Sequence, residues 1–270
     1  MQSINQANAE MLASLHPDTQ LAGRTAIVTG SSSGIGEAIA RVLAASGAEV
    51  VVSGRDAART RQVVSSILTA GGRAHGIPGD LAGSYEDLRT FVREAMAALG
   101  GQVDLLVNNA GVYPVAPTEA LPDSDLDAIM AINIRAPHVL VAAIAPGMAE
   151  RGTGSIVNIG SWMARVGTAH GAMYTASKAA IEQMTRNWAA EYGPRGIRVN
   201  TVAPGVTLTP GNAEYSAILD AMTSGTVVGR TVRAIDIAYA VRFLVSDQAA
   251  FMHGSILDVD GGMASTRLKF

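Results

Sequence analysis

Seven short runs of apolar, β-branched residues alternate along the chain with longer segments whose apolar positions recur every three to four residues. These runs are predicted strands at residues 25–29, 49–53, 73–78, 103–107, 155–159, 197–202 and 255–259. Most of them are apolar at both odd and even positions, which is typical of strands covered on both faces, as in a parallel sheet. The alternation predicts an α/β fold: a doubly wound parallel sheet of about seven strands with helices on both faces.

The segments between these runs carry helix signals. Apolar residues fall on one face of residues 34–46, and Gly47 follows as a stop signal. Ser84 and Asp87 have the spacing of a capping box at the start of another helix. Two longer helices are predicted at about residues 122–149 and 171–192.

No internal linker or repeat interrupts this pattern. We therefore predict a single domain at residues 21–262. It is preceded by an N-terminal extension at residues 1–20 and followed by a C-terminal tail at residues 263–270.

Composition excludes several kinds of chemistry. The 270 residues carry 20 basic and 23 acidic side chains, without the positive excess that binding to nucleic acid needs. The chain has no cysteine, which excludes disulfides, thiolate zinc sites and a cysteine nucleophile, and its five histidines lack metal-site spacing. The N-terminus lacks the features of a secretory signal, and no uninterrupted apolar run approaches a membrane span. These features predict a cytoplasmic protein without metal, nucleic-acid or membrane partners.

The first predicted strand is followed by Thr-Gly-Ser-Ser-Ser-Gly-Ile-Gly, from Thr29 to Gly36, which leads directly into a helix. Glycines let the backbone approach a pyrophosphate closely, and a helix N-terminus offers free N–H groups and a partial positive charge. The place between a strand and an amphipathic helix favours a dinucleotide-binding loop over an ordinary turn. The sheet is therefore expected to be Rossmann-like.

The glycine spacing is TGxxxGxG, and four further motifs follow it. They are Asn108-Asn-Ala-Gly111 after the fourth strand, Ser161 after the fifth, Tyr174-Thr-Ala-Ser-Lys178 at the start of a helix, and Pro204-Gly205 after the sixth. With these motifs in this order, residues 21–262 resemble the short-chain dehydrogenase/reductase family. The resemblance implies an enzyme that transfers a hydride between a nicotinamide dinucleotide and a CH–OH group.

Tyr174 and Lys178 lie four residues apart on a predicted helix, so both side chains face the same side. A phenol with a pKa near its ordinary value of about 10 is a poor base at neutral pH. The Lys178 ammonium, together with an oxidised nicotinamide, is expected to favour the ionised phenol. The resemblance implies that Tyr174 exchanges a proton with the substrate oxygen and that Ser161 holds this oxygen. A serine that only completes a turn is the alternative for Ser161.

Asn133 lies inside a predicted long helix, although asparagine is a weak helix former. The resemblance implies that it passes a proton through water to Lys178. Pro137 has no N–H and cannot donate the helical hydrogen bond to the Asn133 carbonyl. We therefore predict a distortion at residues 133–137, with this carbonyl facing water that leads to Lys178. A proline kink without a catalytic role is the alternative.

The resemblance also implies the cofactor contacts. Asp80 and the Leu81 amide would contact the adenine, with a simple turn cap as the alternative for Asp80. Backbone near Val206 and the hydroxyls of Thr207 and Thr209 would fix the nicotinamide carboxamide, unless these hydroxyls only end the strand. The whole predicted set is Gly30, Ser32, Ser33, Gly34, Ile35, Gly36, Arg55, Asp80, Leu81, Asn109, Ala110, Gly111, Tyr174, Lys178, Pro204, Gly205, Val206, Thr207 and Thr209. Glycines 30, 34, 36, 111 and 205 are assigned to places where the backbone approaches the dinucleotide.

The end of the second strand bears on the choice of dinucleotide. Gly54 stands where an acidic residue would bind the ribose diol and repel a 2′-phosphate. Arg55 beside it offers a guanidinium to such a phosphate, with an exposed solubilising arginine as the alternative. Some family members carry a basic residue before the second loop glycine, but Ser33 occupies that place here. The predicted cofactor is NADP(H), with NAD(H) as the alternative.

Residues that flank the catalytic motifs predict the substrate pocket. Tyr113, Trp162 and Met163, with Ser161 and Tyr174, predict a mainly apolar pocket for a small-to-medium carbonyl or secondary alcohol. Residues 210–229 contain glycine hinges around a short helical pattern and resemble the mobile substrate lid of the family. A helix packed permanently on the body is the alternative.

Three functions follow as hypotheses: a general NADP(H)-dependent carbonyl reductase or alcohol dehydrogenase, a 3-oxoacyl-carrier-protein reductase, and a non-catalytic dinucleotide sensor. The second is suggested by the chain length and the ending Val259-Asp-Gly-Gly-Met263, but Ala190 stands where such enzymes often have an arginine. The third is disfavoured because the serine, tyrosine and lysine are all retained. The resemblance implies a homotetramer, or a dimer, through the two long helices and the C-terminal strand. The alanine-rich faces of these helices are equally compatible with packing inside one chain.

Overall fold

The computed structural model describes residue 15 and residues 18–266. Seven parallel strands form one sheet in the order β3-β2-β1-β4-β5-β6-β7. The strands are β1 Thr25–Val28, β2 Glu49–Val52, β3 Arg73–Gly76, β4 Leu105–Asn108, β5 Gly154–Ile159, β6 Ile197–Pro204 and β7 Ile256–Val259. The order reverses between β1 and β4, which places the ligand crevice of such a sheet above the carboxyl ends of these strands.

Eight α-helices occur in the described part of the chain. They are α1 Gly34–Ala45, α2 Ala57–Thr69, α3 Tyr85–Ala98, α4 Asp123–Ile129, α5 Ala136–Arg151, α6 Ala172–Tyr192, α7 Ser216–Ser224 and α8 Ala234–Val245. A π-helical segment, Met130–Arg135, joins α4 to α5. The capping box predicted from Ser84 and Asp87 is present at the start of α3.

The helices cover the sheet on both sides and bury two apolar clusters. One cluster packs α1 and α8 against residues such as Val28 and Val202, and the other packs α3, α5 and α6 against residues such as Ile27 and Ile156. Neighbours on β1 point to opposite faces, which explains why the central strands are apolar at every position. The predicted α/β class and parallel sheet are confirmed.

Several predicted boundaries differ from the structure. β4 begins at Leu105, two residues later than predicted, and β6 continues to Pro204. β3 is an edge strand with only Ala74 fully buried, so it does not have the two-sided burial of the central strands. Of the predicted N-terminal extension, only residues 15 and 18–20 are described; of the predicted tail, residues 263–266 are described.

One helical stretch among the described residues, Asp123–Arg151, is long and apolar enough to cross a membrane by length and composition alone. Of its tested window, 56% is buried inside the fold. Its buried apolar residues, such as Leu140 and Ile144, belong to one of the two core clusters.

Candidate active site and dinucleotide cleft

A cleft of about 670 Å³ opens above the carboxyl ends of the central strands. Its walls come from the loop after β1, the end of β2, the turn after β3, the loop after β4 and the loop after β6. The cleft is lined by Gly30, Ser32, Ser33, Gly34, Ile35, Gly36, Ser53, Gly54, Arg55, Asp56, Arg59, Gly79, Asp80, Leu81, Asn109, Ala110, Gly111, Val112, Tyr113, Ile132, Thr209 and Gly211. Most of the predicted cofactor-binding residues therefore share one elongated cleft.

The loop after β1 has the backbone that its glycines permit. Gly30 and Gly34 have φ values of +63° and +58°, in the left-handed region that favours glycine. The Ser31 hydroxyl donates to the Val28 carbonyl at 2.6 Å and accepts from the Ser53 N–H at 2.9 Å. This buried serine ties the loop to the end of β2 and fixes its shape before any ligand binds.

Two of the five assigned glycines serve the packing of the protein itself. A Cβ on Gly205 would lie 2.6 Å from the Cα of Asp260. A Cβ on Gly36 would lie 2.3 Å from the Gly30 carbonyl oxygen and 2.4 Å from Nδ2 of Asn109. Neighbouring protein atoms thus already require glycine at these two positions, and the prediction that they also lie close to a dinucleotide stays a prediction.

At the end of β2, Gly54 leaves space for Ser32. A Cβ at Gly54 would lie 2.2 Å from Oγ and 2.8 Å from Cβ of Ser32. Ser53 beside it has a buried hydroxyl without a hydrogen-bond partner. Arg55 is exposed at this end of the cleft, and Arg59, which sequence reasoning missed, lines the same wall. A space with two guanidinium groups and an unpartnered hydroxyl fits a phosphorylated ribose.

The turn after β3 contains Asp80 and Leu81. Oδ1 of Asp80 accepts a hydrogen bond from the Ala82 N–H at 3.0 Å, and Leu81 is buried against the core. Asp80 therefore does stabilise its own turn, as the alternative interpretation expected. It also lines the cleft, so both roles are compatible with its position.

A smaller cavity of about 230 Å³ adjoins the cleft and shares several of its residues. Tyr174, Lys178 and Ser161 all line it, although Ser161 and the other two lie on different elements. Tyr174 and Lys178 come from the start of α6, and Ser161 follows β5. Three of the four predicted catalytic side chains are therefore brought together at the inner end of the cleft, and the fourth, Asn133, does not line this cavity.

Lys178 is 7% exposed, and its ammonium donates a hydrogen bond to the Ile159 carbonyl at 2.8 Å. Burial lowers the pKa of Lys178 from 10.5 to about 8, because the charged form loses its hydration. The ammonium lies 5.9 Å from the centre of the Tyr174 ring. It thus reaches past the phenol ring to the end of β5.

Burial raises the pKa of the Tyr174 phenol, and a hydrogen bond with Ser161 acts in the opposite direction. Within the protein alone, desolvation is the larger effect, and the prediction that Lys178 and an oxidised nicotinamide together favour the ionised phenol stays a prediction. The Ser161 hydroxyl also accepts a hydrogen bond from the Met163 N–H at 3.2 Å. This bond fixes Ser161 at the start of a 3₁₀ turn, Trp162–Arg165, in the cavity that Tyr174 also lines.

The helix is distorted beside Asn133, as predicted. The π-helical segment spans Met130–Arg135, and the Ala136 N–H bonds to the carbonyl of Ala131, five residues earlier. The distortion thus begins three residues before the predicted range. It sits just ahead of Pro137, which removes one regular helical donor.

The Asn133 side chain is fully engaged by the protein. Its Oδ1 accepts from the Val112 N–H at 2.9 Å, and its Nδ2 donates to the Val112 carbonyl at 2.9 Å and to Oγ of Ser177 at 3.0 Å. Ser177 in turn donates to the Tyr174 carbonyl at 2.7 Å. Sequence reasoning missed Ser177, whose place next to Lys178 was the available signal. Asn133 thus fastens the loop after β4 to the helix that carries Tyr174.

The loop after β6 uses its own hydroxyl groups. The Thr207 hydroxyl donates to the Gly205 carbonyl at 2.9 Å, in line with the alternative that it ends the strand. Asn212, also missed from the sequence, accepts from the Thr209 N–H at 2.7 Å and donates to the Thr207 carbonyl at 2.9 Å. Val206 is buried and accepts from the Val232 N–H at 2.8 Å. Pro204, Thr207 and Thr209 line the inner cavity.

The predicted substrate side chains are only partly placed in this cavity. Tyr113 lines both the cleft and the inner cavity and is 54% exposed. Trp162 and Met163 lie in the turn after Ser161 and are not among the residues that line the cavity. Among the described residues, no group of three acidic or histidine side chains could hold a metal ion.

This arrangement, a doubly wound parallel sheet with a glycine-rich loop and a serine–tyrosine–lysine set at the switch point, defines a dinucleotide-dependent oxidoreductase. The family model for short chain dehydrogenases matches residues 24–219, and the chain belongs to this family. As its relatives do, the protein acts on CH–OH groups.

Curated relatives and solved structures agree with this assignment. The chain is 36% identical to cyclopentanol dehydrogenase of Comamonas testosteroni, covering 88% of this chain and 96% of the relative. It is 36% identical to D-threitol dehydrogenase of Mycolicibacterium smegmatis, covering 91% and 94%. A short chain dehydrogenase from Burkholderia cenocepacia, solved in complex with NADP, superposes with a TM-score of 0.85 at 40% identity, covering 91% of this chain and 100% of that one.

Proposed function

We propose that the protein is an NADP(H)-dependent oxidoreductase for a small-to-medium carbonyl or secondary alcohol. The observation that carries this proposal is the convergence of Ser161, Tyr174 and Lys178 on a cavity continuous with the dinucleotide cleft. The predicted roles of the site residues follow from this arrangement and remain part of the proposal.

The bound nicotinamide would supply the hydride in reduction and accept it in oxidation. Ser161 holds the substrate oxygen beside the Tyr174 phenol and polarises it. In reduction, Tyr174 donates its proton to this oxygen, and in oxidation it accepts the alcohol proton. The raised pKa of Tyr174 suits the donor role, because the phenol stays protonated at neutral pH.

Lys178 and Asn133 would restore the Tyr174 proton. With a pKa of about 8, Lys178 exchanges a proton more readily near neutral pH than an ordinary lysine does. The Asn133 side chain is occupied by Val112 and Ser177, so its main-chain carbonyl is the group left for a water on the path to Lys178. The asparagine therefore both positions the helix and contributes to the relay.

The preference for NADP(H) is supported at the end of β2. Arg55 and Arg59 both line the wall where a 2′-phosphate would lie, and the ion pair of Arg59 with Asp56, 3.3 Å, is exposed and weak. Gly54 carries no carboxylate to repel this phosphate, and Ser32 occupies the space where a side chain at Gly54 would begin. Most of the other predicted cofactor residues, from the glycine-rich loop to Thr209, line the same cleft. Five of the set line the adjoining cavity instead: Tyr174, Lys178, Pro204, Gly205 and Thr207.

We also propose that residues 210–229, which include α7, form a substrate lid. Ile218 and Met222 on α7 are 59% and 46% exposed, so this helix has an apolar face free to close over a bound substrate.

The outer faces of α5 and α6 expose small residues, including Ala142 and Ala176, which suit close helix pairing in a homotetramer. Light scattering coupled to size-exclusion chromatography measures the assembly directly.

A substrate panel tests the proposed function. Purified protein is assayed with NADPH and NADH against cyclic and acyclic ketones and an acyl thioester, and with NADP⁺ and NAD⁺ against the matching alcohols. We expect turnover of ketones or alcohols with kcat/KM highest for the phosphorylated cofactor. Turnover of the thioester alone would assign a 3-oxoacyl reductase instead. Cofactor binding without turnover of any compound would assign a sensor.

A further inference from the structure

We propose that Arg135 is a positioning residue that fixes the adenine-side wall of the dinucleotide cleft. It does so by holding the turn from Asp80 to Gly83. This inference rests on the proposed function, since it takes this turn as part of the cofactor site.

Arg135 reaches the turn from the far side of the cleft wall. Its Nη2 atom donates to the Ala82 carbonyl at 2.8 Å and to the Gly83 carbonyl at 2.6 Å. Both carbonyls belong to a turn of four residues that no strand or helix contains. The two acceptor residues lie 53 and 52 residues before Arg135, so these bonds connect segments that are distant in the sequence.

The two ends of the turn are held by different partners. Inside it, Asp80 accepts from the N–H groups of Ala82 and Gly83, and Leu81 is buried beneath it. Just before the turn, the Gly79 N–H donates to the Gly54 carbonyl at 3.2 Å, which ties this end to β2. The Arg135 bonds hold the other end, at Ala82 and Gly83. Because both Arg135 bonds come from one charged nitrogen, they are stronger than bonds from a neutral donor and directed at two successive carbonyls.

The surroundings of the guanidinium support a fixed orientation. Its carbon lies 5.3 Å from the centre of the Tyr85 ring, a cation–π distance, and its Nε is buried without a hydrogen-bond partner. Leaving a buried donor unpaired costs free energy, which the two carbonyl bonds and the ring contact offset. The side chain is thus held in one geometry and not simply extended into solvent.

Arg135 is the last residue of the π-helical segment that also contains Asn133. Asn133 holds Val112 in the loop after β4, and Arg135 holds the turn after β3. One short segment therefore anchors two walls of the cleft, one at each end. Asn133 and Arg135 lie two residues apart in this distorted segment before Pro137, and each side chain is held against a different loop of the cleft.

The test compares three variants: Arg135→Met, Arg135→Lys and Arg89→Met. Arg89 is the matched control, since its guanidinium also lies near the Tyr85 ring, at 6.0 Å, but the structure gives it no bond to the turn. Binding is measured by fluorescence and calorimetry for the full dinucleotide, for adenosine 2′,5′-bisphosphate and for nicotinamide mononucleotide. Steady-state assays give KM for the cofactor and kcat at saturation.

We expect Arg135→Met to weaken binding of the dinucleotide and of the adenosine fragment about tenfold. Binding of nicotinamide mononucleotide and kcat at saturating cofactor should change less than about twofold, and Arg135→Lys should be intermediate because it keeps the charge but loses the fork of donors. Unchanged affinity in both Arg135 variants, or an equal loss in Arg89→Met, would overturn the role of Arg135. If Arg135→Met does not fold, the Lys variant and its adenosine affinity decide. A native protein that binds no dinucleotide would instead overturn the proposed function.

Discussion

The Lys178 ammonium donates a hydrogen bond to the Ile159 carbonyl at 2.8 Å, which ties the start of α6 to the end of the strand that leads to Ser161. This bond gives the buried ammonium a hydrogen-bond acceptor. Because the bond is made to a neutral carbonyl and not to a carboxylate, it offsets only part of the cost of burial, and the pKa of Lys178 falls to about 8.

The pKa of Lys178 can be measured without altering the site. The chain contains only two lysines, Lys178 and Lys269. Heteronuclear NMR of protein labelled at the lysine side chains should give a signal that titrates near pH 8. Lys178→Met should remove this signal. If the signal that the variant removes titrates above pH 10, burial does not shift this lysine.

The same shift makes stability depend on pH. The folded pKa of Lys178 lies below its unfolded value, so between about pH 8 and 10.5 the unfolded chain binds the extra proton and stability rises with pH. The unfolding free energy of the native protein minus that of Lys178→Met should therefore become more positive by roughly 3 kcal/mol across this range. Urea titrations at several pH values measure this difference. A difference that stays constant, or becomes less positive, contradicts the assignment.

Tyr174→Phe should reduce kcat/KM at least about 100-fold, because it removes the group that exchanges the substrate proton. Affinity for the cofactor should stay within about twofold of the native value. Tyr113→Phe is the matched control, since this phenol lines the same cavity, and it should alter KM for the substrate more than kcat. Equal losses of kcat in the two variants would argue against a unique proton-transfer role for Tyr174.

Gly54→Asp alone should not switch the cofactor preference from NADPH to NADH. Gly54→Asp introduces a carboxylate for the ribose diol, but its Cβ would meet Ser32 at 2.2 Å from Oγ and 2.8 Å from Cβ. We expect the single variant to bind both dinucleotides poorly. Gly54→Asp combined with Ser32→Gly should bind NADH better than NADPH. If Gly54→Asp alone already prefers NADH with full activity, the loop that carries Ser32 can move aside at little cost in free energy.

Pro137→Ala should separate the two interpretations of the helix distortion. The new N–H can donate to the Asn133 carbonyl and remove it from the proposed proton relay. We expect kcat to fall several-fold, with a larger solvent isotope effect and unchanged cofactor KM. Pro146→Ala, in the same helix but exposed and away from the site, should change neither. An unchanged kcat in Pro137→Ala would favour a kink without a catalytic role.

Glu182, one turn beyond Lys178 on α6, provides a second pH effect. It is 3% exposed, its Oε1 lies 3.6 Å from Nε of Arg165, and burial raises its pKa above 4.5. Since the folded state binds this proton more tightly, the native protein should lose stability relative to Glu182→Gln as pH rises above about 4.5. Thermal unfolding from pH 4 to 7 measures this trend. A trend of the opposite sign would mean that the Arg165 pair outweighs desolvation.

The amino-acid sequence by itself determined the alternation of strands and helices, the glycine-rich loop and the pairing of Tyr174 with Lys178. Each of these depends on a few neighbouring residues, through the strand period, the helix period or the freedom of glycine. The prediction of a distortion near Pro137 succeeded for the same reason, because a missing N–H acts on its own helix.

Only the tertiary structure decided which distant groups meet. It placed Ser32 against Gly54, Arg59 on the cleft wall at the end of β2 and Arg135 under the turn after β3, all across loops that the sequence pattern does not connect. It also showed that burial raises the pKa of Tyr174 in the protein alone, because desolvation depends on everything packed around the phenol. Local signals specify elements, whereas contact, burial and charge arise only when these elements pack together.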